Sequence, residues 1–219
     1  MIKKIIHISL LGLVFIGITL AIIYSISVAA KSQLDAIERG KIGGQYITID
    51  DGVISYNVSG PGSGEPVVLV HGLSTPKFVW NATTAALSEA GYRVYSFDHL
   101  GRGFSDRPKT DYNRAFYVRE LAQLLDGLGL TAPATLIGYS MGGANIIDFT
   151  NAFPEQVKEL ILIAPAGFIP VDENLKRFIE LPFISDTLSP ILIKRHALAG
   201  IEKHVATGAA PASMITDFE

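Results

Sequence analysis

The stretch Thr135-Leu136-Ile137-Gly138-Tyr139-Ser140-Met141-Gly142-Gly143 constrains the fold of this chain more than any other. Apolar and β-branched residues lead into Gly-x-Ser-x-Gly, and a helical pattern over 144–153 follows without a spacer. A turn this abrupt from strand to helix holds its central serine in a strained backbone and packs the flanking segments so closely that only glycine fits beside it. Gly138 and Gly142 provide that clearance. The hydroxyl of Ser140 is then exposed at the end of the strand as a nucleophile. The N–H of Met141 opens the helix, where a free amide and the helix dipole meet a developing negative charge.

Strand and helix patterns alternate around this turn. Residues 45–49 and 53–58 flank Asp51-Gly52 and read as a β-hairpin. Gly60-Pro61-Gly62-Ser63-Gly64 interrupts the chain, and 66–70 is then wholly apolar, as in a parallel strand buried on both faces. A helix over 79–90, a strand over 92–97, a helix over 115–128 and strands over 134–138 and 160–164 follow. This order predicts an α/β fold: a mostly parallel, doubly wound sheet that binds ligands at the carboxyl ends of its strands. Past Ala164 the alternation stops. Pro170, Pro182, Pro190 and Pro211 punctuate a region containing Phe178, Leu181, Phe183, Ile184 and Leu188, which reads as short amphipathic helices forming either ordinary core or a lid.

Residues 5–30 contain no Asp, Glu, Lys or Arg and follow Met1-Ile2-Lys3-Lys4. The run is long enough to cross a bilayer and is apolar all round, unlike a surface helix. Two readings stand. The segment is a single-pass anchor in the lipid bilayer with the following domain extracytoplasmic, or it is a signal peptide cleaved near Ser27-Val28-Ala29-Ala30, which releases a secreted domain. Its length exceeds the ~7–15-residue apolar core of a signal peptide and favours the anchor. The expected division is 1–30 anchor or signal, 31–44 tether, 45–167 α/β core, and 168–219 helical lid region.

The absence of cysteine excludes disulfides and thiolate chemistry, and the five histidines show no H-x-x-x-H pairing, so no metal is expected. A net charge of −3 with scattered basic residues argues against a nucleic-acid partner. Neither G-x-G-x-x-G nor a G-x-x-x-x-G-K-[ST] loop occurs at the Ser140 turn or elsewhere, so no cofactor is expected. Oligomeric state is not legible.

Three motifs in order, His71-Gly72-Leu73, Asp98-His99-Leu100-Gly101-Arg102-Gly103-Phe104-Ser105 and the Ser140 turn, make the chain resemble the α/β-hydrolase superfamily over 45–168. The resemblance implies that Ser140 is the nucleophile and that the N–H groups of Leu73 and Met141 form an oxyanion hole. His71 and Gly72 then support the oxyanion loop, and His99 lies in a loop near the rim. A serine in place of an aspartate separates the chain from the dehalogenase and epoxide-hydrolase branches. Family members of this type continue through two further strands that bring a catalytic acid and then a base histidine. This sequence stops at Glu219, within the expected lid, so those positions have no counterpart. Asp172, His196 and His204 are the candidates for supplying acid and base in their place. The implied activity is a serine hydrolase that cleaves an ester-like or carbon–carbon bond of a small apolar substrate through an acyl-enzyme. The alternative is a catalytically inactive truncated or pseudo-hydrolase product that binds apolar ligands.

Overall fold

The computed structural model describes residues 2–29 and 35–167, with single positions between 174 and 202. The residues fall into two compact units, one of 1–32 with 171–199 and the other of 33–170 with 200–219. Helix α1 (Ile2–Ala29) belongs to the first unit. Its 28 residues rise through about 42 Å at ~1.5 Å each. Solvent exposure within it is described only for residues 12 and 14–26, and among the described residues no helical stretch is long and apolar enough to cross a membrane. The expected lid over 168–219 lies outside the described residues apart from those single positions.

The second unit opens with a helix inside the stretch expected to be a tether. Helix α2 (Ala36–Ile42) is held by a capping box: the Asp35 carboxylate accepts from the N–H groups of Ile37 and Glu38, and the Glu38 carboxylate accepts from the Asp35 N–H. Arg39 of α2 pairs with Asp106, so α2 packs against the domain.

Six strands make one sheet in the order β1-β2-β4-β3-β5-β6. β1 (Gln45–Ile49) and β2 (Gly52–Ser59) form the expected hairpin, and β2 pairs antiparallel with β4 (Arg93–Phe97). β4, β3 (Pro66–Val70), β5 (Ala134–Tyr139) and β6 (Val157–Ile163) are parallel. A 3-10 turn at Lys77–Trp80 leads into α3 (Asn81–Glu89), while α4 (Arg114–Gly127) and α5 (Met141–Ala152) follow β4 and β5.

The wholly apolar β3 is buried because its two faces serve two cores. Val68 and Val70 join Phe97, Leu121, Leu124, Leu136, Ile146 and Phe149 beneath α4 and α5. Val67 and Leu69 join Trp80, Val94 and Ile137 on the α3 side. Each such fully buried side chain contributes about 1.5–3 kcal/mol.

β6 departs from this pattern. It starts at Val157, three residues before the expected Leu160, and ends before Ala164, whose φ is 42°. Leu160, Ile161, Leu162 and Ile163 are all exposed, Ile161 and Ile163 by 43%. Successive strand residues face opposite sides, so side chains on both faces of β6 are partly exposed, and among the described residues β6 is the last strand of the sheet.

Candidate functional site

The carboxyl ends of three adjacent parallel strands run directly into the sequence motifs: β3 into His71, β4 into Asp98 and β5 into Ser140. Ser140 has φ 52° and ψ −118°, a sparsely populated conformation for a residue with a side chain. The backbone on either side holds it there. Its N–H donates to Ile163 O at 3.0 Å, and its carbonyl accepts from Gly143 N–H at 3.0 Å and Ala166 N–H at 2.9 Å. The glycines mark the close approach. A Cβ on Gly142 would lie 2.2 Å from Val70 O, and one on Gly138 would lie 2.6 Å from Gly142 O. Met141 is the first residue of α5, so its N–H has no acceptor four residues back within the helix.

The loop after β3 meets this turn. A Cβ on Gly72 would sit 3.1 Å from Ser140 Cβ, which places the Gly72 backbone directly against the serine. His71 is fully buried and occupied on both ring nitrogens: Nε2 accepts the His99 N–H at 3.0 Å, and Nδ1 lies 2.6 Å from Gly72 O. Burial, reinforced by the nearby His99, holds its pKa well below the ordinary 6.5. A neutral imidazole that accepts at Nε2 carries its proton on Nδ1. His71 therefore donates to the Gly72 carbonyl and has no nitrogen available to Ser140. From the other side, Arg102 Nε donates to Leu73 O at 2.9 Å. Both peptide groups of the loop are thus held in orientation.

His99 does not lie near the rim. It is 1% exposed and sits at the centre of a polar cluster in the core. Its Nδ1 pairs with the fully buried Glu120 of α4, its Nε2 lies 3.3 Å from Asn145 Nδ2 of α5, and the rings of His71, Phe97 and Tyr117 surround it edge-on at 4.7–5.0 Å. Glu120 also accepts from the Leu100 N–H. The loop is drawn inward because α4 offers it an acceptor it can reach only from inside. Sequence reasoning missed Glu120 and Asn145. The signal for Glu120 was a lone carboxylate on the apolar face Phe116, Tyr117, Leu121, Leu124, Leu125.

Ser140 Oγ makes no hydrogen bond to another described residue. Asp172, His196 and His204 lie outside the described residues. Among the described residues no three His, Cys, Asp or Glu side chains converge on a point that would hold a metal ion.

A family profile described as the alpha/beta hydrolase fold matches residues 65–197, from the start of β3 to beyond β6. The chain belongs to the α/β-hydrolase superfamily. An uncharacterized protein of Mycobacterium bovis is 33% identical to this α/β-hydrolase over 144 residues, which are 64% of this chain and 41% of the relative. The chain thus spans about two fifths of that relative's length. Among solved structures, a meta-cleavage product hydrolase is 32% identical with a TM-score of 0.54, covering 61% of this chain and 49% of its own. The naproxen esterase of Bacillus subtilis is 27% identical with a TM-score of 0.56, covering 74% of this chain and 54% of its own.

Proposed function

We propose that this α/β-hydrolase is a serine hydrolase in which Ser140 attacks the carbonyl of a small apolar ester-like or carbon–carbon-bonded substrate. The observation that carries the reading is the strained backbone of Ser140 between β5 and the first amide of α5, with the Gly72 backbone against it. In the proposed reaction Ser140 Oγ adds to the carbonyl as its proton passes to a base. The N–H groups of Met141 and Leu73 stabilise the oxyanion, the leaving group departs with a proton, and water then cleaves the acyl-enzyme. The base and its acid partner come from outside 35–167; within this chain Asp172, His196 and His204 are the candidates. The esterase and the meta-cleavage product hydrolase among its structural relatives support a carbonyl-centred reaction.

The second reading is a non-catalytic protein that binds apolar ligands. It is favoured by the lack of an imidazole hydrogen-bonded to Ser140 among the described residues. Added imidazole separates the two, because a half-exposed serine with intact oxyanion donors accepts an external base. We expect an imidazole-dependent acyl adduct on Ser140 from p-nitrophenyl butyrate, read by peptide mass spectrometry and absent in Ser140→Ala. A folded chain that forms no adduct at any imidazole concentration supports the non-catalytic reading.

We further propose that α1 anchors the chain in a lipid bilayer with the hydrolase domain extracytoplasmic. The uncharged run 5–30, the length of the helix and the exposed side chains of Phe15, Ile18 and Ile26 support it.

A further inference from the structure

A recess of about 440 Å³ opens beside the carboxyl end of β4, on the β2 side. It shares no lining residue with the Ser140 turn or the Gly72 loop. Its volume lies within the ~300–1,000 Å³ typical of small-molecule sites. Its polar wall is built around Lys77, a cation that is 9% exposed and has no part in the proposed reaction.

The hydrogen bonds in this wall leave donors over and acceptors occupied. Lys77 Nζ donates to Ser55 Oγ at 2.7 Å and to Asp98 Oδ2 at 2.8 Å, which leaves the third ammonium proton unused. Asp98 is fully buried and already receives three donors: the Lys77 ammonium, the Lys77 N–H at 2.7 Å and the Phe104 N–H at 3.1 Å. Ser55 Oγ accepts from Lys77, and its own proton finds no acceptor among the described residues. Asn57, exposed at the rim, makes no side-chain hydrogen bond there either. The lining also includes Phe78 and Phe104, the Phe104 ring being centred 5.3 Å from the Lys77 ammonium.

We propose that this recess binds a small carboxylate carrying a short apolar or aromatic chain. The carboxylate accepts from the Lys77 ammonium and the Ser55 hydroxyl, and its chain lies against Phe78 and Phe104. An anion is preferred to a neutral carbonyl because its bond to the ammonium is charge-assisted and Asp98 is already compensated by three donors. The inference does not depend on the hydrolase reading, since none of these residues belongs to the Ser140 site.

Fluorine NMR of 4-fluorobenzoate titrated with the full chain in detergent micelles tests it, with empty micelles as the blank and 4-fluorobenzamide as the neutral comparator. We expect saturable broadening of the benzoate signal and at least tenfold weaker binding of the benzamide. Asn57→Asp adds a negative charge at an exposed position without disturbing the core, and we expect it to weaken benzoate binding about tenfold, or ~1.4 kcal/mol. Lys77→Met should abolish binding. Because that change also leaves Asp98 buried without its cation, Ser55→Ala, expected to weaken binding severalfold, is the milder companion. Ser140→Ala should bind as the unmodified chain does. No saturable binding below about 10 mM, equal affinity for benzamide, or an unchanged affinity in Asn57→Asp would overturn the proposal.

Discussion

The backbone N–H of His99 donates to Nε2 of His71 across 3.0 Å, and this one bond sets the direction of a peptide group beside Ser140. With Nε2 accepting, the imidazole proton sits on Nδ1 and is given to Gly72 O. The Gly72-Leu73 peptide is trans, so the Leu73 N–H points away from the His71 ring. A residue in the loop after β4 thereby orients an amide in the loop after β3.

That arrangement makes stability depend on pH. The folded-state pKa of His71 is lowered, chiefly by burial, so below the ordinary value of 6.5 the unfolded chain binds a proton that the folded chain resists. The unfolded state then holds more protons and stability falls as pH falls. We expect Tm to decline as pH is lowered from about 6.5, and His71→Gln to flatten that part of the profile while lowering Tm at neutral pH. A Tm independent of pH from 7 to 5 would contradict a buried, neutral His71.

The strain at Ser140 predicts an ordering of variants. Glycine adopts a positive φ without steric cost, whereas alanine keeps the strain, which is of order 1–3 kcal/mol at such positions. Ser140→Gly should therefore be about 1 kcal/mol more stable than Ser140→Ala in urea titration, the extra flexibility of unfolded glycine offsetting part of the gain. Gly142→Ala should lose at least about 2 kcal/mol, since its Cβ meets Val70 O at 2.2 Å and neither backbone segment can withdraw.

Catalysis without added base is expected to be negligible. Removing one member of a serine triad costs several powers of ten in rate. With no imidazole hydrogen-bonded to Ser140 among the described residues, the 219-residue chain is expected to hydrolyse p-nitrophenyl esters no faster than Ser140→Ala. A clear excess that His196→Ala or His204→Ala abolishes would place the base within this chain.

Membrane fractionation checks the anchor. The chain should sediment with membranes, resist salt and carbonate, and dissolve in detergent. A soluble species beginning near Ala30 or Lys31 would identify a cleaved signal instead.

The sequence carried the parts of this architecture that depend on short-range rules. The Ser140 turn was legible because clearance for a close backbone approach demands glycine at fixed offsets. Strand β3 was legible because burial on both faces removes the alternation of an exposed strand. Helix α2 left a usable mark in Asp35-x-x-Glu38, yet its docking rests on Arg39 meeting Asp106, 67 residues away. His99 was misplaced for the same reason. A histidine in a polar loop reads as exposed unless the carboxylate waiting for it on α4 is already known, and Lys77 and Asp98 formed a buried pair that no local pattern announced.

Among the described residues β6 is an edge strand with exposed apolar side chains, which gives a prediction of its own. Unpaired apolar edges template association between chains, and a charge on the strand blocks it. Ile161→Lys, at a position 43% exposed, should raise the monomeric fraction in size-exclusion chromatography with little change in Tm. Loss of folding instead would show that this face of β6 is core.

Among the described residues β6 and β1 are the two edges of the sheet, so association through them would be a question of dose. Two chains that join β6 to β6 in antiparallel fashion satisfy both edges and stop, whereas head-to-tail joining between β6 and β1 leaves a fresh edge at each end and continues indefinitely. Encounter grows with the square of concentration, so low expression favours single chains. Crowding the same molecules into the plane of a membrane would push them toward whichever of the two geometries forms first.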